Sequence, residues 1–406
     1  MANNLSASFP DVWAREQQET FLKENVAKNI ADYNTTLDWV SYGDTLVKTY
    51  RSTNADDAPG VYTRGTDMVE KDITDTAETM TINRSFGELI YVDDFDKIQS
   101  RYDIAMAYGR DQGILLSNQV DAEVFAEALN ADNVIDASSD WGTAGQWLTV
   151  TTSNVFKMFS TAKKKLQKQN VASTDFVGAV SPDVEDIINQ YYAGRNTILG
   201  DDTNKNWFGG RVFGWRNLYT TNNLTATAVF SLTSNPSNGH TVTVAGQVFT
   251  FVSSIGTTAG NVLIWADADA TRANLAALIN APSTTTANWV ALWTASSAVV
   301  KRFVARISAV NDNAADTLTV TYKWGNVLDV AVSGTGTWTA SLKKQHNLLT
   351  VKGNPVLVMQ KTPVVQVVEH QSRLGKNIKN GVLFWVKSFR ENKKQMVRVE
   401  VRTDTF

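Results

Sequence analysis

The chain has no cysteine in its 406 residues, which excludes disulfides, thiolate metal sites and cysteine nucleophiles and fits folding in a reducing cytoplasm. It lacks an excess of either charge: 38 basic and 41 acidic side chains leave a formal net charge of −3. No overall field would draw it onto DNA or an anionic membrane. No run approaches the ~20 apolar residues of a membrane span, and Met1 to Thr20 has neither the basic nor the apolar region of a secretory signal. Histidine is scarce, with His240, His346 and His370 falling in separate segments. There is no serine nucleophile elbow, phosphate loop or dinucleotide fingerprint, and Gly334-Thr335-Gly336 lies between predicted strands with no helix to bind phosphate. An enzyme is not expected, nor a cofactor or metal. Asp267 and Asp269 are flanked by Ala and Thr and read as helix caps, and Asp201-Asp202-Thr203-Asn204 reads as turn chemistry.

What is present describes a folded, multidomain protein. Apolar residues make up 43% and charged residues 19%, far from the signature of disorder. A single core stops growing at roughly 250 to 300 residues, so more than one domain is expected. From Phe9 to about Tyr33, Val12, Trp13, Phe21, Leu22, Val26 and Ile30 have helical spacing after Pro10, predicting an arm with an amphipathic helix. Extended runs at Asp44 to Arg51 and Glu78 to Val92 flank a polar stretch with Pro59, Gly60 and Gly65, predicting a long hairpin. Asp93-Asp94 then offers capping chemistry for a long helix. Its predicted apolar face holds Ile104, Ala105, Tyr108, Ile114, Leu115, Val120, Val124, Phe125 and Leu129. Gly109 and Gly113 inside it predict a kink or close packing.

Further on, Asn154 is a predicted cap for a helix to Lys168, Phe176 to Val180 a buried strand, and Ser181-Pro182 the start of another helix. Composition shifts near Thr225 and shifts back near Lys343. Between them lie strand-like runs at Thr241 to Val244, Gln247 to Val252, Val262 to Trp265, Val304 to Ser308, Thr317 to Tyr322 and Val327 to Val332. One helix, about Thr271 to Asn280 with Asp269 as cap, interrupts them. The segment reads as a β-rich domain inserted into a host whose ends must meet. Strand-like runs return at Pro355 to Met359, Val364 to Glu369, Val382 to Phe389 and Met396 to Thr403.

Two segments flanking the insertion carry a resemblance. Upstream, Phe208-Gly209-Gly210-Arg211-Val212-Phe213-Gly214-Trp215 leads to Tyr219-Thr220-Thr221-Asn222-Asn223-Leu224. Downstream, Val364-Val365-Gln366-Val367-Val368-Glu369 leads through Arg373-Leu374-Gly375-Lys376-Asn377-Ile378-Lys379-Asn380-Gly381 to an apolar strand. In order and spacing these resemble the HK97-like major capsid proteins of tailed bacteriophages. The resemblance implies an α+β fold with an N-terminal arm (1–48), an extended loop hairpin (49–92) and a peripheral domain with a long spine helix (93–153). An axial domain (154–224), the inserted β-rich domain (225–343) and the axial return with the last peripheral strand (344–406) would follow. Gly239 to Phe251 with the helix from Ala270 also resembles small modules of phage structural proteins.

The implied function is self-assembly into an icosahedral shell around phage DNA, located in the virion and assembled in the host bacterial cytoplasm. Implied partners are the chain itself in hexamers and pentamers, a portal protein, a decoration protein and weak non-specific contact with packaged DNA, with no membrane. The arm-like helix begins almost at Phe9, so scaffolding would come from a separate protein or from a segment cleaved earlier. The alternative is a tail-tube or decoration protein of the virion, against which the long helix from Asp93 to Asn130 speaks. Mixed charges in the hairpin, Arg51, Asp56, Asp57, Arg64, Asp67, Glu70 and Lys71, are the candidate subunit-interface residues. Gly109 and Gly113 are the candidate hinge. Some members of the family join a loop Lys to a neighbour's Asn, for which Lys71 with Asn377 or Asn380 would be the positions here. Lys163, Lys164, Lys165 and Lys168 read as a solvated face. Trp265, Trp289, Trp293, Trp324 and Trp338 read as filling for the inserted domain's core.

Overall fold

The computed structural model describes residues 26–32, 45–51, 62–65, 67, 75–95, 104–137, 147–171, 175–194, 213–292, 297–324, 330–333, 338–362 and 364–402. Its longest helix, α1 (Ile104–Ala126), runs on through a 3-10 turn at Glu127–Asn130. Leu116, Val120, Val124 and Phe125 are buried, but so are Gln112, Asn118, Gln119, Asp121 and Glu123. The helix is therefore enclosed on more than one side, which a single apolar stripe does not capture. Tyr108, predicted on that stripe, is exposed.

Most of the predicted arm helix lies outside the described residues. Its described end is a 3-10 turn, Ala27–Asn29, and Val26, Ala27, Ile30 and Ala31 pack against α1. Strands β1 (Thr45–Arg51) and β2 (Asp75–Thr81) form an antiparallel pair with Arg51 opposite Asp75. The extended run predicted to Val92 divides at Ile82 and Asn83. Beyond them β3 (Arg84–Asp93) leaves the hairpin and pairs with β17 (Gly375–Lys387). On the other edge of β17 lie β15 (Val356–Lys361) and β16 (Gln366–Glu369). Val382, Phe384 and Val386 of β17 join the core beneath α1.

A second sheet has the order β11 (Ile307–Asp312), β12 (Thr317–Tyr322), β7 (Thr225–Leu232), β14 (Trp338–Val351), β18 (Met396–Arg402) and β4 (Asn133–Ile135). Strand β14 organises it. Its first part pairs with β7, with His346 opposite Thr225. Its last part pairs with β5 (Phe176–Val180), which also carries β6 (Asn217–Thr220) in parallel. Helices α2 (Val155–Lys168) and α3 (Pro182–Ala193) share a core with β5 and β18 built on Phe159, Leu166, Val184, Trp215 and Val399. The short α6 (Arg390–Lys394) leads into β18.

A third sheet, β10 (Asn261–Leu263), β9 (Gln247–Val252), β8 (Thr241–Val244) and β13 (Val330–Ser333), shares a core with β7, β11 and β12 through Phe230, Phe249, Phe251 and Phe303. Helices α4 (Ala268–Asn280) and α5 (Ala298–Arg306) complete this region.

Three local expectations are corrected. Asp267 caps α4, accepting from Ala270 N at 2.7 Å, while Asp269 pairs with the buried Arg272. Asn154 does not cap α2 with its side chain, which bonds back to Thr149 O and Thr151 N. Residues 304 to 306, read as strand, close α5, whose cap is Ser297 accepting from Val300 N. The Ser181 cap of α3 is as expected, with Pro182 at the first helical position.

Candidate functional site

The histidines do not converge. His240 Nδ1 accepts from Ser237 N, His370 Nδ1 from Ser372 N, and His346 is buried against Thr227 Oγ1 at 2.8 Å. Burial, helped by Arg398 and Lys344, holds the His346 ring well below its ordinary pKa and keeps it neutral. Among the described residues no group of three or more His, Asp or Glu is placed to hold a metal ion. No described helix is long and apolar enough to cross a membrane. The lysine run on α2 is not one solvated face: Lys165 Nζ donates to Val134 O at 2.6 Å, and Lys163 lies near the Phe176 ring, while Lys164 and Lys168 are exposed. Of the tryptophans read as core, Trp324 is buried and Trp289 packs at the core edge, but Trp265 is half exposed.

The geometry that remains is that of surfaces and joints. Of the predicted interface residues, Arg51 ends β1, and Arg64 and Asp67 are exposed. Asp56, Asp57, Glu70 and Lys71 lie outside the described residues. The hairpin is open to solvent along most of β2, and Val47 and Tyr62 are exposed. Its root is fixed instead. Met80 and Ile82 pack on Val356, Val358 and Phe389, and Glu78 pairs with Lys387 at 3.0 Å and accepts from Arg390 N. Burial opposes the charge on Glu78. The Lys387 and Arg390 hydrogen bonds and the charges of Lys387 and Lys393 outweigh it and hold the carboxyl below its usual range. Burial, with Glu78 and Glu391 nearby, pushes the Tyr50 hydroxyl up to about 12.

Helix α1 passes unbroken through both candidate hinge glycines. Gly109 is a site of close approach, where an added Cβ would stand 2.9 Å from Val365 Cγ1; at Gly113 the nearest atom, Asn380 Nδ2, would be 3.8 Å away. Val365 belongs to the strand-like run Val364 to Glu369, whose apolar side chains the sequence does not mark as exposed. Val364, Val365, Val367, Val368 and Leu374 are all exposed, on and beside the edge strand β16. An edge strand with apolar side chains on both faces is an unfinished surface.

The stretch of α1 from Asn118 to Glu123 joins the surrounding elements. Asn118 accepts from Asn223 at 3.1 Å, and Gln119 donates to Ala305 O at the end of α5. Asp121 holds the N-terminal segment, accepting from Val26 N at 2.8 Å and Ala27 N at 3.3 Å. Glu123 pairs with Lys323 at 3.0 Å and with Arg84, at the start of β3, at 3.6 Å. The sequence signal was an acid on either side of Ala122 between Val120 and Val124, where a simple apolar face has no place for one.

No protein-family model matches the chain, and no curated protein matches its sequence. Among solved structures, the fold is similar to that of a chain from Mycobacterium phage Che8, with 13% identity, a TM-score of 0.57 and 98% of both chains covered. It is also similar to the capsid structure of cyanophage P-SCSP1u, with 11% identity, a TM-score of 0.53, and 100% of this chain and 96% of that one covered. For the mature capsid of bacteriophage PhiM1 the identity is 12% and the TM-score 0.52, over 97% of this chain and 92% of that one. Over nearly its whole length, the chain has a mixed α+β fold shared with phage capsid structures.

Proposed function

We propose that this chain is the major capsid protein of a tailed bacteriophage and that its work is to assemble, copy on copy, into the icosahedral shell around the genome. The observation that carries the reading is the end-to-end fold similarity, which covers 96% and 92% of the two capsid chains. A tail-tube or decoration protein is the rival. On the HK97-like plan, α1 is the spine helix, β3 and β17 belong to the peripheral domain, and β5, β14 and β18 belong to the axial domain. Residues 225–343 are the inserted β-rich domain, and residues 49–92 the extended loop.

In this reading the hairpin of one copy lies across its neighbour. Charge supports β16 and its surroundings as the place where it lies: residues 51–79 carry seven acids against three bases, whereas 361–379 carry four bases against one acid. Individual exposed pairs contribute only ~0.2 to 1 kcal/mol, but a closed shell repeats each contact many times. Gly109 and Gly113 are where we place bending of the helix between immature and mature shells. The reading assigns no catalytic residue and no cofactor. A separate scaffolding protein, a portal protein, a decoration protein and weak contact with packaged DNA are the proposed partners, with assembly in the host cytoplasm and the virion as destination.

The test is negative-stain electron microscopy with light scattering on the chain expressed alone and with its phage's scaffolding protein. Closed hollow particles, hexamers or pentamers are expected. Open tubes or stacked rings would replace the shell reading with the tail one.

A further inference from the structure

Helix α2 carries five lysines and no acid, whereas α3 carries three acids, Asp183, Glu185 and Asp186, and no base. Lysines in a last turn and acids in a first turn suit each helix's own dipole, so the charges alone decide nothing. Their placement does. Leu218 of β6, Gly178 of β5, Leu349 of β14, Val397 of β18 and Asn133 of β4 stand opposite one another in a single row. Strands β6 and β4 are therefore the two ends of a five-stranded stretch, four strand spacings or roughly 19 Å apart. Among the described residues β6 pairs only with β5, and β4 only with β18.

Each charged helix is tied to one of these ends. Glu185 of α3 accepts from Thr220 Oγ1 of β6 at 2.7 Å, and Lys165 of α2 donates to Val134 O of β4 at 2.6 Å. At the β4 end Lys164 and Lys168 are exposed, and Lys393 and Lys394 lie half-buried where Asp132 N donates to Lys393 O. The acids there are Asp132, Asp136 and Glu391, the last paired with Lys394 at 3.1 Å, so bases prevail. At the β6 end Arg216 is paired with Asp175 at 2.7 Å. Among the described residues Glu185 and Asp186 have the neutral partners Thr220 and Gln190, and no cation stands against the half-buried Asp183. One end of the stretch is thus acidic and the other basic, each beside an open strand edge. Within one chain the two groups are too far apart to meet, at more than the ~8 Å over which exposed charges act in physiological salt. Being different surfaces, they join head to tail, a contact that repeats from copy to copy and closes into a ring where the rotation allows.

We propose that the acidic β6 and α3 edge of one copy docks on the basic β4 and α2 edge of the next, bringing Asp183 and Asp186 against Lys164 and Lys168. The inference rests on the shell reading in taking the partner to be a second copy of this chain.

Charge exchange on the full-length chain tests this, read by sedimentation and native mass spectrometry at low and high salt. The parent's self-association should weaken as salt rises. Lys164→Glu with Lys168→Glu makes both edges acidic, and Asp183→Lys with Asp186→Lys makes both basic; either pair should weaken association by about tenfold or more. Mixing the two variants should restore it, in complexes holding equal numbers of each. A chain with all four substitutions should also recover, although it bears the helix-dipole cost of both pairs; damage to the fold predicts the reverse, with that chain associating least. Single-edge variants that associate as the parent does, a mixture or four-substitution chain that stays apart while its circular dichroism is the parent's, or a parent with no salt-sensitive association at any concentration would overturn the docking. Recovery is read between copies in solution, so a failed exchange leaves the formation of closed shells standing, and tubes in place of shells leave a successful exchange standing.

Discussion

Two glycines one helical turn apart make the residue-scale case for reading contacts rather than propensity. A glycine inside a helix costs about 1 kcal/mol against alanine, so both positions on α1 look alike in sequence. At Gly113 a methyl group would meet only an ordinary contact at 3.8 Å, whereas at Gly109 it would press on Val365 at 2.9 Å. Gly113→Ala should therefore stabilise the chain by roughly 1 kcal/mol. Gly109→Ala should gain nothing or lose, because the helix must back away from the 364–365 segment or Val365 must turn outward. Thermal unfolding of the two variants beside the parent checks this, and equal gains would mean that the close approach at Gly109 has no energetic weight. Asp121 teaches the same lesson: its neighbours in sequence, Val120 and Ala122, predict only a buried helix, and its partner Val26 is 95 positions away.

At the scale of elements, local chemistry was legible where it is local. Ser181-Pro182 announced α3, and the runs of β8, β9 and β12 appear with the predicted bounds. Where two signals compete, the sequence misleads. Asp267 and Asp269 both suit a cap, and the buried Arg272 decides between them by engaging Asp269. Helix α5 was hidden because Val299, Val300 and Val304 favour strands, while Phe303 and Val300 bury at helical spacing. The turn between β8 and β9 is a case where an element can be improved. Val244 pairs with Gln247 across two residues, Ala245 at φ +50° and Gly246 at φ +76°, the positive pair of a type I′ turn. Alanine is strained there by about 1 kcal/mol or more, whereas Asn-Gly is the favoured pair. Ala245→Asn should raise the stability of the chain by roughly 0.5 to 1 kcal/mol, measured by denaturant unfolding; a loss would show that packing of the Ala245 methyl outweighs the turn.

For the whole molecule, the hardest feature to read was the pairing of distant strands. That the ends of the 225–343 segment must meet was legible; that they meet as partners within one sheet, with Thr225 opposite His346 on β14, was not. Strand β14 carries Gln345, His346 and Asn347, all buried, so no alternation of apolar and polar residues marked it. The hairpin is the converse, marked in the sequence by its two extended runs and polar tip and tied to the rest of the described chain chiefly at its root. Its base is held by Met80, Ile82 and the Glu78–Lys387 pair, and Arg51 stands directly opposite Asp75. Residues 52–74 can therefore be replaced by a two-residue Asn-Gly turn without disturbing the register below. Such a chain should keep the parent's circular dichroism and melting temperature, since the root core is untouched. If the hairpin's outer part grips a neighbouring copy, the shortened chain should give capsomers or monomers where the parent, under the same conditions and with the same scaffolding protein, gives closed particles. Closed particles at the parent's yield would show that the shell is held elsewhere, and would turn attention to the valines of β16 as a contact in their own right.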